Sequence, residues 1–249
     1  MKTTKTVLIV GGNGGIGAST VNLFAAKGWM VYYTYYKNKK TDFENKFPNT
    51  IGISCDVTKN QDIKKVAKKI KEDGFSVDAV IYSVTTHLTL QPFEDIPIKV
   101  FEEDIEIILI GAIRIFQVLI PLMKKEAQSV IIPIITSSVI STPKRMSSYV
   151  IAKFGLLGLV KSLAVEISQL GIRVVGLSPS FVETSLLKAF PAKMLELEKS
   201  KLQNGKFISP EEIAKVLDSI ICDKEKFLTG ENIIVNNSQD VARLIEENK

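Results

Sequence analysis

Apolar residues fall into short unbroken runs separated by longer stretches of helical period, and the two alternate almost from end to end. Thr6–Val10 is a continuous apolar run, the pattern of a strand covered on both faces. A glycine-rich stretch from Gly11 to Gly17 follows, and Ala18–Lys27 reads as a helix. Trp29–Thr34 predicts a second strand, Ile51–Ser54 a third and Asp78–Tyr82 a fourth, with a lysine-rich amphipathic helix over about Asn60–Glu72 between the last two. A long apolar helix is expected from near Phe101 to Met123, stopped near Pro121. Val130–Ile135 predicts a fifth strand in which Pro133 is awkward, because proline gives a ladder no donor. A helix over about Ser148–Leu170 turns back into a sixth strand, Gly171–Leu177, then a polar loop, Ser178–Thr184, and a mobile-looking segment, Lys188–Gly205. Ser209 with Pro210 is a helix start, and Thr229-Gly230 precedes a last strand, Asn232–Val235. Strand alternates with helix and no Pro-, Gly- or Ser-rich linker intervenes, which predicts one α/β domain built on a doubly wound parallel sheet.

Composition narrows the classes without naming one. The 249 residues suit one large α/β domain, and 45% hydrophobic content fills a core. Formal charge is +5, from 32 basic and 27 acidic residues, but the lysines are scattered and read as solvated helix faces. A nucleic-acid partner would call for a dense basic stripe with interleaved aromatics, so none is expected. Cys55 and Cys222 are far apart and His87 is the one histidine, so neither a disulfide framework, a metal site nor a Ser-His triad is expected. His87 reads as a loop residue. The N-terminal residues run into the first strand without an apolar leader. Ile105 to Met123 carries Glu106, Gly111 and Arg114, which suits a buried helix better than a membrane span. The expectation is a cytoplasmic protein with no membrane partner.

Candidate chemistry concentrates at Tyr149 and Lys153, with Ser137 and Ser138 upstream. Four residues apart on a helix, the phenol and the ammonium share a face. A fixed positive charge favours phenolate and lowers the tyrosine pKa, so the pair could exchange a proton with an alcohol or a developing alkoxide. A serine hydroxyl from the loop would hold the reacting oxygen. A second signal is the order strand, glycine loop, helix over Thr6–Lys27, where backbone amides and a helix N-terminus can receive a phosphate. After the second strand come Tyr35, Tyr36 and Lys37, with no acid. An acid there would bind the 2′-hydroxyl of NAD, whereas a base suits the 2′-phosphate of NADP. NADP(H) is favoured and NAD(H) is not excluded; Lys37 also reads as a surface lysine.

These motifs stand in an order and at intervals that resemble the short-chain dehydrogenase/reductase family over essentially the whole chain, and the sequence is similar in particular to 3-oxoacyl-(acyl-carrier-protein) reductases. The resemblance is carried by Gly11-x-x-x-Gly15-Ile-Gly17, Asp56-Val57, Tyr149-x-x-x-Lys153, Ser178-Pro179 with Val182 and Thr184, and Thr229-Gly230. It implies a Rossmann-like, single-domain α/β fold over residues 1–249. Gly11, Gly15, Ile16 and Gly17 would line the pyrophosphate, with Asn13 and Ser83 in the same cofactor-binding set. Asp56 and Val57 would contact adenine, with Tyr35, Tyr36 and Lys37 at the ribose. Pro179, Val182 and Thr184 would bracket the nicotinamide. Tyr149 would donate the proton, Lys153 would bind the nicotinamide ribose and depress the tyrosine pKa, and Ser138 would polarise the substrate oxygen, with Ser137 a second candidate. A substrate lid would lie near 185–205. The implied activity is NADP-dependent reduction of a ketone, small or carrier-bound and 3-oxoacyl thioester-like, to a secondary alcohol. The implied assembly is a homodimer or homotetramer through the apolar helices around Ile107–Phe116 and Leu156–Leu163.

The chain also departs from that family. The Asn-Asn-Ala-Gly after the fourth strand is here Tyr82-Ser-Val-Thr85, and the helix position of a catalytic asparagine is Ile108. Gly14 stands where NADP-binding members often carry a base, and Asn236-Asn237-Ser238 replaces a terminal Asp-Gly-Gly. The departures keep a second expectation open, a catalytically degenerate nucleotide-binding or scaffolding paralogue of the same fold.

Overall fold

The computed structural model describes residues 4–39, 42–123, 129–223 and 225–246; Met1–Thr3, at the N-terminal end of the sequence, lie outside them. Its elements in chain order are β1 (Thr6–Val10), α1 (Gly15–Ala26), β2 (Met30–Tyr35), α2 (Phe43–Lys46), β3 (Thr50–Ser54), α3 (Asn60–Glu72) and β4 (Ala79–Tyr82). Then come α4 (Ile98–Asp104), a π-helical segment (Ile105–Ile110), α5 (Gly111–Leu119), β5 (Val130–Pro133), α6 (Ser138–Ser141) and α7 (Ser147–Glu166). The last are β6 (Arg173–Val174), β7 (Gly176–Pro179), α8 (Ala192–Ser200), α9 (Pro210–Cys222), β8 (Asn232–Val235) and α10 (Ser238–Ile245).

Six parallel strands form a sheet in the order β3-β2-β1-β4-β5-β6. Every side chain of β1 and β4 is buried, as an unbroken apolar run in a sheet covered on both faces requires. On one face Val7, Ile9 and Val31 pack with Phe24 of α1 and Ile213, Leu217 and Ile220 of α9. On the other, Leu8, Val10 and Val80 pack with Ile63 and Val66 of α3, Ile115 of α5 and Leu156 and Val160 of α7. Strand order reverses between β1 and β4, so a crevice opens at their C-terminal ends, where open α/β sheets bind ligands.

The predicted sixth strand is interrupted. Val175 still donates to Ile131, but Gly176 turns to the carbonyl of Glu231, and β7 pairs with β8. A bridge between Ile134 and Leu177 joins this pair to the larger sheet. The break accounts for Pro133. Ile134 donates to Tyr82, and alternation puts the missing N–H of Pro133 on the opposite side, where the neighbouring chain is changing partners. Other boundaries also move: α1 begins at Gly15 rather than Ala18, and Lys188–Gly205 contains α8. Ser209 caps α9 as expected, its Oγ accepting from Glu212 while Glu212 accepts from the Ser209 amide. The long helix starts at Ile98, three residues early, and widens into the π segment. There Tyr82 Oη donates to the Ile107 carbonyl at 2.6 Å and Ile108 is fully buried. Two departures thus have a packing explanation: Tyr82 partners a carbonyl of the widened turn, and Ile108 fills the core.

The helical stretches Ile98–Leu122 and Ser147–Glu166 are long and apolar enough to cross a bilayer by length and composition. Each instead packs one face against the sheet, through Ile115 and Phe116 in the first and Leu156 and Val160 in the second. Ile151, Phe154 and Val165 remain exposed on α7.

Candidate active site

Beyond β1 the chain turns sharply into α1. Gly11 donates to Thr34 Oγ1 at 3.1 Å and Gly12 to the Thr34 carbonyl at 2.9 Å, which ties the turn to β2. Gly17 lies in the first turn of α1, and a Cβ there would sit 2.1 Å from the Gly11 carbonyl oxygen. Only glycine permits that approach. No side chain caps α1 and no acid occupies its first turn, so its leading amides face the crevice with an unopposed positive dipole end. The donor set fits a dinucleotide pyrophosphate. Asn13 Nδ2 donates to the Asn38 carbonyl at 2.8 Å, tying the loop to the chain after β2, and Ile16 packs on the core with α1. Ser83 donates to Val10 at 2.8 Å and forms the wall opposite Gly11.

At the far end of the crevice, Tyr35 is half-buried and Tyr36 exposed. Lys37 adopts φ 55° and lays its ammonium 4.7 Å from the centre of the Tyr36 ring. Lys39 is committed to Glu44 at 2.7 Å, whereas Lys37 interacts chiefly with the Tyr36 hydroxyl and only weakly with Asp56. Asp56 Oδ1 accepts from the Thr58 amide and hydroxyl, and its own amide donates to Asp62. Val57 is buried against the Gly111 turn.

The reactive groups gather beyond β5. Tyr149 and Lys153 lie in the first two turns of α7, with 6% and 2% exposure, on one face. Lys153 Nζ donates to the Ile134 carbonyl at 2.7 Å and lies 5.7 Å from the Tyr149 ring centre. Tyr149 hydrogen-bonds Thr136, whose Oγ1 donates to Ser138 Oγ at 3.2 Å and accepts from the Ser138 amide. A hydroxyl array therefore runs Tyr149, Thr136, Ser138. Ser137 lies half-buried beside it, with its amide donating to the Pro179 carbonyl. Burial dominates the electrostatics: it pushes Tyr149 up to about 12, only partly offset by the Thr136 hydrogen bond, and pushes Lys153 down to about 7. This corrects the expectation drawn from spacing, in which the ammonium lowers the phenol. Two groups four residues apart also share a dry environment, and desolvation is the largest effect on each.

Opposite this array, Pro179 ends β7, Val182 is buried and bridges Ile208, and Thr184 caps the turn Ser185–Ala189 with its methyl against Gly15. A cavity of about 410 Å³ opens beside Thr184, between Glu183 and the α8 residues Leu195 and Lys199. Phe181 stacks on Phe207 at 5.1 Å and meets Phe190 edge-on at 5.5 Å, so these rings clamp the segment to the body. His87 is exposed on the loop after β4. Sequence reasoning missed Thr136, readable only as part of a Thr-Ser-Ser run, and Asp104, hidden among the acids Glu102, Glu103 and Glu106.

A family model described as "Enoyl-(Acyl carrier protein) reductase" matches residues 10–237. A 3-oxoacyl-(acyl-carrier-protein) reductase of Thermotoga maritima is 28% identical over 240 residues, 92% of this chain and 95% of the relative. An NAD-dependent glycerol dehydrogenase of Listeria innocua is 27% identical, over 96% of this chain and 95% of the relative. Among solved structures, gox2181 superposes with a TM-score of 0.85 at 22% identity, covering 94% of each chain. A short-chain dehydrogenase family protein from Francisella tularensis superposes with 0.82 at 23% identity, covering 94% of this chain and 98% of that one.

Proposed function

The chain belongs to the short-chain dehydrogenase/reductase family and is an NAD(P)-dependent oxidoreductase; from that premise we propose that it reduces a ketone to a secondary alcohol with NADP(H). The observation that carries this reading is the buried array of Tyr149, Thr136 and Ser138 beside Lys153, at the end of the crevice that begins with the glycine turn. When bound, the dinucleotide supplies the hydride. Its pyrophosphate would rest on Gly11, Asn13, Gly15, Ile16 and Gly17, its adenosine end on Asp56, Val57 and Lys37, and its nicotinamide end against Ser83, Pro179, Val182 and Thr184. Ser138 Oγ would donate a hydrogen bond to the substrate carbonyl oxygen, Tyr149 would pass its proton to that oxygen, and Thr136 would hold the phenol in line. Residues 185–205 would exclude water as a lid.

A 3-oxoacyl thioester or a similar carbonyl is the proposed substrate class, because a relative bearing that activity matches nearly the full length. The chain would act in the cytoplasm as a homo-oligomer, through the apolar α4–α5 stretch and the exposed Ile151 and Phe154 of α7. The test is loss of NADPH absorbance across a panel of 3-oxoacyl thioesters and cyclic ketones. Turnover on at least one is the expected outcome; tight NADPH binding with none turned over would favour the degenerate paralogue, the reading supported by the buried Ile108.

Cofactor choice has its own test. A 2′-phosphate held by Lys37 is a hydrogen bond to a charged group, worth about 1.5–3 kcal/mol, or roughly ten- to a hundredfold in affinity. Lys37→Ala is expected to weaken NADPH binding by that factor and to leave NADH unchanged, measured by nicotinamide fluorescence. Unchanged binding of both cofactors would return Lys37 to the status of a surface lysine.

A further inference from the structure

A buried acid stands close to the reactive pair with no role in the reading above. Asp104, the last residue of α4, is 2% exposed. Its Oδ1 accepts from Thr86 Oγ1, in the loop that follows β4, and its Oδ2 has no hydrogen-bond partner among the described residues. α4 packs on α7, and the Asp104 charge is felt at both Tyr149 and Lys153. A carboxylate is rarely taken out of water with one oxygen unsatisfied unless a nearby cation compensates it.

We propose that Asp104, oriented by Thr86, is a positioning residue that acts through Lys153 and keeps its side chain in the ammonium form. The inference rests on Lys153 as a member of the working site. The elements around Lys153 contribute Tyr149 from α7, the Ile134 carbonyl and Thr136 at the end of β5, and Asp104 from α4; Asp104 is the charged group among them that opposes the desolvation of the amine. That opposition matters because burial has already brought Lys153 down to about 7. An amine so placed is largely neutral at pH 8, and a neutral amine neither attracts a phenolate nor carries charge into the cofactor crevice. Removing a nearby opposite charge moves a pKa by about 1–3 units, here downward. Thr86 and Asp104 come from two segments whose residues also depart from the family pattern, the loop after β4 and the helix before Ile108.

Asp104→Asn is nearly isosteric and is the first test. Its kcat/KM at pH 7.5 is expected to fall about tenfold for a one-unit shift, with a smaller loss at pH 6, so that the basic limb of the pH profile moves toward acid. A purely structural role would lower activity by one factor at every pH and leave the limb in place, which would overturn the proposal. Thr86→Val keeps the acid and removes its donor, and a smaller shift in the same direction is expected; if Asp104→Asn does not fold, an unshifted profile in Thr86→Val overturns the proposal. The second readout needs no turnover. In protein labelled with nitrogen-15 at lysine Nζ, the Lys153 resonance, assigned by its loss in Lys153→Met, is expected to titrate at lower pH in Asp104→Asn than in the wild type. An unchanged midpoint would overturn the coupling, whereas a shifted midpoint in a protein without turnover would keep the coupling and sink the proposed activity.

Discussion

Tyr149→Phe is expected to lower kcat/KM by about two to four orders of magnitude, the range that a positioned proton donor supplies, while NADPH affinity changes less than twofold. The phenol is buried at the start of α7, and phenylalanine preserves the ring that packs there. The change therefore removes a proton and a hydrogen bond to Thr136 and little else. Direction follows from electrostatics. With its pKa pushed to about 12, Tyr149 carries its proton throughout the neutral range, which suits donation to a carbonyl oxygen. Running in reverse, alcohol oxidation must first empty that site, so its rate is expected to climb with pH until Lys153 loses its charge near 7, while ketone reduction does not climb. The same shift bears on stability. Because the folded value of about 12 exceeds the unfolded value of 10.0, the fold holds this proton more tightly than the unfolded chain does. The stabilisation is complete below pH 10 and is lost as pH rises through about 12. Single-turnover reduction by the variant, followed at 340 nm beside a fluorescence titration with NADPH, separates chemistry from binding. More than a tenth of wild-type activity would move the proton source elsewhere.

How much of this was legible beforehand depends on range. Strands β1 and β4 read directly, because a run buried on both faces needs no information beyond its own residues. Ser209 with Pro210 announced a helix start because a cap and a first-turn proline are local signals as well, and the structure adds Glu212 to complete a capping box. What failed was decided by neighbours distant in sequence. The break at Val175 comes from β8, more than fifty residues on, drawing Gly176 to Glu231. Pro133 looked misplaced until that break appeared beside it. Spacing placed Tyr149 and Lys153 on one face, but not in a dry pocket, and the pocket decides both pKa values. Asp104 was invisible among neighbouring acids, because only tertiary packing separates a buried carboxylate from a solvated one.

The glycine turn offers the other large effect, through a pair of substitutions three residues apart. Gly17→Ala is expected to abolish measurable NADPH binding at concentrations that saturate the wild type, and Gly14→Ala to bind within about twofold of it. A Cβ at position 17 would meet the Gly11 carbonyl oxygen at 2.1 Å, the Gly11 carbonyl carbon at 2.9 Å and Gly12 Cα at 3.0 Å. All three are backbone, so no rotamer relieves the contact and the turn itself must move. Amides displaced from the crevice lose charge-assisted hydrogen bonds worth about 1.5–3 kcal/mol each, and two such losses exceed a hundredfold in affinity. At position 14 nothing lies within 4 Å of the added carbon, and φ of −178° is extended backbone that alanine adopts freely. Its position at the helix cap carries a small cost in stability only. Urea midpoints for both proteins, measured beside the binding titrations, distinguish a displaced turn from an unfolded domain. If Gly17→Ala is folded and binds NADPH as the wild type does, the pyrophosphate does not lie over this turn, and the orientation assigned to the cofactor along the whole crevice falls with it.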